Sequence, residues 1–294
     1  MDVTLREVGN VLTRTSGYLK TVTSHSLQPY RGCSFGNSLC GAGCYVRHNF
    51  FLTRGRSWGS FLEIRENAAA SYRRHWRRER NWARRCRERF GVFLSSSTEP
   101  FLPQESRYRV TGSVLEAMLE RPPDLLVLQT HSHRVTGYSD LYLELSRRCR
   151  LRIHISIETD LDAVPGLPGH ASSVDRRFEA ACRLRRLGLF TVITVSPLLP
   201  IRDPERFFRR IGDAADRVVI DHFVEGDGSP DGSRTLRTAL PRAMIQVDKE
   251  SIGLAYRDRM VQVARDILPG RVGVSIDGFA GRYLTSGRPL VEYC

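Results

Sequence analysis

Short apolar, β-branched runs recur along the chain at 20–26, 91–96, 125–130, 151–157, 190–195, 217–221 and, more weakly, 272–276. Each is bounded by polar or turn-forming residues, the pattern of strands buried on both faces. Between them, apolar positions fall at helical spacing over 60–90, 110–121, 138–149, 174–187, 204–214 and 250–268. Buried strands alternating with amphipathic helices predict an α/β fold on a parallel sheet. A length of 294 residues with 41% hydrophobic positions suits one barrel-sized domain. The whole chain 1–294 therefore reads as a single domain, with a core at about 20–223 and an extension at 224–294 closing the barrel mouth.

Several predicted strands hand over directly to polar residues: Ser96-Ser97-Thr98-Glu99, Thr130-His131-Ser132, Ser156-Ile157-Glu158, Ser196-Pro197 and Asp221-His222. In α/β barrels the carboxyl ends of the strands carry the active site, so these groups are expected to converge on one mouth. Neighbouring residues of a strand point to opposite faces, so only one of Asp221 and His222 can reach it. His154 lies inside an apolar run and reads as a core histidine.

Three cysteines add chemistry. Cys33, Cys40 and Cys44 are separated by six and three residues, whereas Cys86, Cys149, Cys182 and Cys294 are scattered, which is unlike a disulfide framework. Cys86, Cys149 and Cys182 fall in predicted helices and read as small buried hydrophobes. A cubane iron–sulfur cluster usually takes four thiolates, so three close cysteines leave one iron open for chemistry. A different use of the same loop is a Cys3His zinc site in a nucleic-acid-binding protein, with His48 as fourth ligand.

Charge widens the choice of partner. Lys and Arg number 45 against 32 Asp and Glu, for a net charge of +13 and a pI near 9.9. A nucleic acid is one polyanion that fits. Between 72 and 89 nine arginines interleave with Trp76 and Trp82. Arginines among aromatics suit phosphate contact and base stacking, but Ile64, Ala68, Tyr72, Trp76, Ala83 and Phe90 also fit the buried stripe of an amphipathic helix, the favoured reading. The stretch 225–233 is rich in glycine and polar residues and reads either as a loop over the mouth or as a plain connection. No apolar run approaches the roughly 18 residues of a membrane span, and the N-terminus lacks a signal-peptide core; a cytoplasmic protein without a membrane partner is expected.

Taken in order, these segments resemble the radical S-adenosylmethionine (SAM) superfamily, and within it the spore photoproduct lyase-like branch. Arg31-Gly32-Cys33 and Cys44-Tyr45-Val46-Arg47 resemble the ends of that branch's cluster loop. Ser96 to Phe101, Thr130-His131-Ser132, Ile155 to Thr159, Arg177-Phe178-Glu179-Ala180 and Val195 to Pro200 resemble its successive strand-end and helix motifs. The resemblance implies a partial (β/α)6 TIM-type barrel of parallel strands with the cluster loop after the first strand. It implies a [4Fe-4S] cluster on Cys33, Cys40 and Cys44, SAM on the open iron, and a lyase-like enzyme whose 5′-deoxyadenosyl radical abstracts hydrogen from a substrate, possibly a nucleic acid or DNA lesion. Flavodoxin or ferredoxin would donate the electron.

By the same resemblance, Ser96, Thr98, Glu99, His131, Ser156, Glu158, Arg177 and Ser196 would hold SAM. Thr98 and Glu99 would meet its methionyl amino end, Ser156 its ribose or carboxylate, and Ser196 its adenine side. Three departures stand out. The cysteine spacing is longer than the branch's three and two, His131 replaces a lysine, and Ser97 replaces a hydrogen-donating cysteine. A longer loop costs little closure entropy, about 0.6 kcal/mol per doubling. Without the Ser97 thiol, Tyr45 and Cys294 become the candidate catalytic hydrogen relays.

Overall fold

In a computed structural model, residues 1–285 and 288–292 are described, and Cys294 lies outside them. Thirteen strands are present among these residues: β1 (Asp2–Arg6), β2 (Leu12–Arg14), β3 (His25–Leu27), β4 (Tyr30–Gly32), β5 (Phe61–Arg65), β6 (Gly91–Leu94), β7 (Leu125–Thr130), β8 (Arg150–Ser156), β9 (Thr191–Val195), β10 (Arg217–Ile220), β11 (Val272–Val274), β12 (Arg282–Thr285) and β13 (Arg288–Glu292). β3, β6, β7, β8, β9, β10 and β11 pair in that order, every neighbour parallel. β2 adds antiparallel at one edge, and β12 with β13 at the other. The sheet is open: among the described residues its two edge strands do not pair with each other.

Helices cross between the parallel strands at Ala68–Cys86, Val110–Glu120, Ser139–Ser146, Val174–Arg186, Pro204–Ala214 and Leu254–Ile267. Their starts follow capping chemistry. Ser173 and Asp203 accept from the backbone N–H three residues on, and Pro204 takes the first helical position, where no N–H is needed. The strands are buried on both faces, but the two faces differ. Leu126, Leu128, Ile153, Ile155, Ile193 and Val218 join the large core under the helices. Phe93, Leu125, Val127, Val192 and Val219 point the other way and pack on Phe279 and Tyr283 as a smaller apolar plug. Phe93 and Phe279 of that plug also line the cavity into which the strand ends open.

Two sequence expectations change. Residues 60–90 are not one helix: Phe61–Arg65 is β5, and the helix begins at Ala68. β5 pairs parallel to β1 and antiparallel to β4 in a separate three-stranded sheet, so long-range pairing overrides local helical periodicity there. The predicted strand 20–26 is shorter, since Gly17–Thr21 forms a 3-10 turn and only His25–Leu27 enters the sheet. β4 leaves the main sheet after β3 and delivers the chain to Cys33. Residues 272–274 add a seventh parallel strand, so part of the predicted extension belongs to the sheet itself.

The arginine-rich helix is the amphipathic one. Ala68, Ser71, Tyr72, Glu79 and Ala83 are buried, while Arg73, Arg78 and Arg84 pair with Glu120, Glu79 and Asp124. Its tryptophans are already covered: Arg80 and Arg121 lie over Trp76, and Arg14 over Trp82. Cys149 and Cys182 pack against the core as expected, but Cys86 is exposed because it ends the helix on its outer side. His154 is fully buried beside Phe279, and burial pushes its pKa down to about 3. No helix among the described residues is long and apolar enough to cross a membrane.

Glu105 ties β4 to the crossover helix at Val110–Glu120 and to Tyr138. Its buried carboxylate accepts from the Tyr30 hydroxyl, from the Tyr138 hydroxyl at 2.6 Å, and from the backbone N–H groups of Thr111 and Gly112 at 3.1 and 2.9 Å. Glu105→Ala would strand four buried donors, so urea unfolding should show a loss of about 3 kcal/mol or more. Glu105→Gln, which keeps one carbonyl acceptor, should lose less.

Candidate active site

The carboxyl ends of the parallel strands open into a cavity of about 470 Å³. Cys33, Cys40, Cys44 and Tyr45 form one wall, and Ser96, Thr98, Glu99, His131, Glu158 and Ser196 line the rest with Asp221. The sequence reading is thus brought together for all but two of its described site residues.

Those two stand behind the wall. Ser156 is fully buried, sharing a hydrogen bond with Thr194 and accepting from Gln129, and it is Gln129 that lines the cavity. Arg177 is equally buried and donates to the Ser156 carbonyl and, at 2.7 Å, to Glu158. Strand alternation and the depth of the 174–186 helix decide this, and neither is visible in a motif. Tyr18, Ser95, Gln129 and Arg234 were missed as lining residues. Tyr18 sits on the unforeseen 3-10 turn, so sequence periodicity carried no signal for it.

Close packing of backbone shapes the cysteine loop. A Cβ on Gly41 would stand 2.3 Å from Gly36 backbone atoms, and one on Gly36 would stand 2.2 Å from Gly59 Cα. Only hydrogen fits in this stack, which pins the turn that presents Cys40. Arg47 donates to the Ala42 carbonyl at 2.8 Å and fixes the exit from the loop. Cys33 is buried, and Cys40 and Cys44 are half-buried. Burial pushes the Cys33 thiol up to about 12 and the Cys44 thiol up to about 11. Cys40 is raised further, by burial and then by the other two sulfurs. Such thiols do not ionise on their own near neutrality, but a metal that takes them as thiolates displaces their protons.

The three sulfurs share a wall and feel one another's charge. Among the described residues, however, no three His, Cys, Asp or Glu side chains converge on a point that would hold a single ion. A cubane, with irons at separate corners, requires its thiolates to stand apart, whereas a tetrahedral zinc requires them to converge. His48 does not complete a zinc set either, because its ring lies against the Arg237 backbone and it is not a lining residue. Three cysteine sulfurs on one cavity wall are the donor set that a cubane with one open iron would take.

The carboxylates of the wall are held differently from one another. Glu99 accepts from the Phe101 and His131 backbone N–H groups at 2.9 and 2.8 Å and from the Thr130 hydroxyl at 2.5 Å. Burial nevertheless raises its pKa, against the pull of His131 and those donors. Burial would raise Glu158 too, but Arg177 and His131, the latter at 2.6 Å, hold it well below the usual carboxylate range. Asp227 accepts from Ser229 and from the Thr235 N–H, which builds the glycine-rich stretch into the cavity wall. Both residues of the adjacent pair line the cavity, Asp221 with its carboxylate and, against the expectation that only one would reach it, His222 as well. The His222 ring accepts from the Val224 N–H and donates to the Ser251 carbonyl. Tyr45 donates from its hydroxyl to the Ser96 carbonyl at 3.3 Å.

No protein-family model matches the chain. A curated protein of Pseudomonas phage M6 named radical SAM Nα-GlyT isomerase is 29% identical over 206 residues, 67% of this chain. The match spans 39% of that relative's length. Among solved structures, a double mutant of spore photoproduct lyase with bound AdoMet and dinucleoside spore photoproduct superposes with a TM-score of 0.61 at 14% identity, covering 93% of this chain and 81% of that one. A tyrosine-to-phenylalanine mutant of the same enzyme gives the same values. At that identity the likeness is one of fold.

The buried pair of Arg177 and Glu158 yields a stability test. Glu158 has a depressed folded pKa, so its contribution is present above the unfolded value near 4.3 and is lost as pH falls below it. Arg177→Met should cost about 3–5 kcal/mol in urea unfolding at pH 7, and the difference from the parent should shrink as the medium is taken below about pH 4.

Proposed function

We propose that this chain is an enzyme of the radical SAM superfamily, on the branch of spore photoproduct lyase, that carries a [4Fe-4S] cluster on Cys33, Cys40 and Cys44 and acts on a nucleobase-containing substrate, a reading supported by the likeness to the phage isomerase and by the shared fold. The support is the placement of those three cysteines on one cavity wall at the strand ends, with no fourth thiol among the described lining residues. When bound, the cluster would supply one electron to cleave SAM and so generate the 5′-deoxyadenosyl radical that removes hydrogen from substrate. The chain's own residues bind, orient and exclude water. Thr98 and Glu99 would meet the methionyl amino end and Ser196 the adenine side. Gln129 takes the position that Ser156 was expected to hold, with Ser156 and Arg177 fixing Gln129 and Glu158 from behind.

Ser97 lines the cavity with an O–H bond too strong to yield hydrogen readily, so Tyr45 is the described lining residue assigned to hydrogen return. The +13 charge suits an acidic electron donor such as flavodoxin or ferredoxin, and equally a polyanionic substrate. Support for the latter comes from the loop beside the cavity. Residues 34–62 contain no Asp or Glu, and Phe50 and Phe51 are 70% and 88% exposed. Arg31 donates to the Phe51 and Leu52 carbonyls at 2.6 and 2.8 Å, which holds the backbone while the rings face outward. Rigid exposed aromatics flanked by Arg47 and Arg54 suit stacking on unpaired bases.

Anaerobic reconstitution should give a brown protein with about four irons per chain, and dithionite with SAM should release 5′-deoxyadenosine. Cys40→Ala should lose cluster and product together; full iron content in that variant would refute the ligand set. In a fluorescence anisotropy titration with a labelled single-stranded oligodeoxynucleotide, Phe51→Ala should weaken binding about fivefold or more. Unchanged affinity would remove this loop from the substrate contact.

A further inference from the structure

Of the carboxylates in the cavity wall, Asp221 alone keeps an oxygen without a partner. It is 3% exposed, and its Oδ2 accepts from the Ser196 hydroxyl at 3.0 Å, but Oδ1 accepts from nothing among the described residues. The hydroxyls of Tyr18 and Ser275 flank the same carboxylate, and neither completes a hydrogen bond of regular geometry. Three buried polar atoms of one small region are thus left open together, on the side of the cavity formed by β10 and the turn at Gly17–Thr21. Gly226 completes the enclosure: a Cβ there would stand 2.6 Å from Asp221 Oδ2.

Buried polar atoms without partners are costly, and a charge without a counter-charge more so. Glu158 has Arg177 and His131, Glu99 has two amides and a hydroxyl, and Asp227 has an amide from Thr235 and both donors of Ser229. No ion pair to Asp221 is found among the described residues. The cation that acts on it, Arg257, is bound to Glu225 and Asp258. A water could fill the hydrogen-bonding vacancy, but it would leave the charge uncompensated. A cationic donor satisfies both requirements.

Resting on the nucleobase reading above, we infer that Asp221 Oδ1, with the Tyr18 and Ser275 hydroxyls, forms a subsite for a protonated amine carried by the substrate. An alkylammonium presents three N–H donors, enough for the carboxylate and both hydroxyl oxygens. Burial raises the Asp221 carboxyl to about 6, against Ser196, Ser275, Tyr18 and the more distant Arg257. The other charged and titratable groups facing this region are Tyr18 and Tyr45, both raised by burial and so un-ionised in the range of the test, with Asp277 acting on Tyr18 and Asp227 and Arg234 on Tyr45. Amine binding therefore weakens as pH falls through about 6, where the carboxylate takes up its proton.

The test uses cluster-loaded protein with SAM and no reductant, so that nothing turns over, and two nucleosides that differ by one amine: 5-aminomethyl-2′-deoxyuridine and thymidine. Calorimetry at pH 7.5 should show the amine bound about tenfold or more tighter, with the preference shrinking at pH 5.5. Asp221→Asn, a nearly isosteric change, should abolish the preference while thymidine still binds, and Tyr18→Phe should reduce it several-fold. Thymidine binding with no gain from the amine overturns the subsite and leaves the nucleobase reading in place. Weaker SAM binding in Asp221→Asn with the preference intact overturns it as well, by assigning the carboxylate to the amino groups of SAM. Failure of both nucleosides to bind overturns the nucleobase reading and the subsite with it.

Discussion

Carboxylates at the ends of a buried parallel sheet must find partners, and this requirement organises the cavity. A parallel sheet covered on both faces keeps water out until the strands end. The first polar residues beyond the apolar plug therefore sit where desolvation is severe and each charge needs a specific answer. Glu158 is answered by Arg177 from the 174–186 helix and by His131 from the end of β7, so one carboxylate ties two strand ends to a crossover helix. Glu99 is answered by backbone amides and a threonine. Asp221 lacks such an answer, which separates a structural carboxylate from one available to a ligand.

The same constraint holds His131, whose ring lies 2.6 Å from Glu158 and belongs to the internal network. The cysteine loop is governed by a different force, close backbone packing. Gly36, Gly41 and Gly59 stack so tightly that the path between Cys33 and Cys44 has little freedom, despite its length. A long loop is cheap in closure entropy, but it can position metal ligands only if something else removes its flexibility.

The raised pKa values of the three thiols follow mainly from burial, with the neighbouring sulfurs adding to it at Cys40 and Cys33. Each is raised well above the range in which it would ionise, so the loop is inert without metal and releases protons on taking it up. Around that loop the surface has the opposite character, with exposed Phe50 and Phe51 in a stretch without acids. An apolar, cation-flanked lip above a cavity lined with acids suits a substrate with an anionic backbone and a cationic reacting end.

The apolar runs and their spacing were enough to place six of the seven parallel strands near their observed positions, and the more weakly signalled seventh as well, because strands buried on both faces write themselves as continuous hydrophobic segments. The cysteine trio, Thr98, Glu99, His131, Glu158 and Ser196 were legible for a related reason: polar residues directly after such runs end up at one edge of the sheet. The sequence could not show that 61–65 pairs as a strand, because its partners lie at 2–6 and 30–32 and only assembly brings them together. Nor could it show that Ser156 and Arg177 stand one layer behind the cavity while Gln129 and Tyr18 face it. Chain order fixes which residues lie near a strand end, but which of them meet the cavity depends on strand register, helix depth and the partners that burial forces them to take, and those exist only in the folded chain.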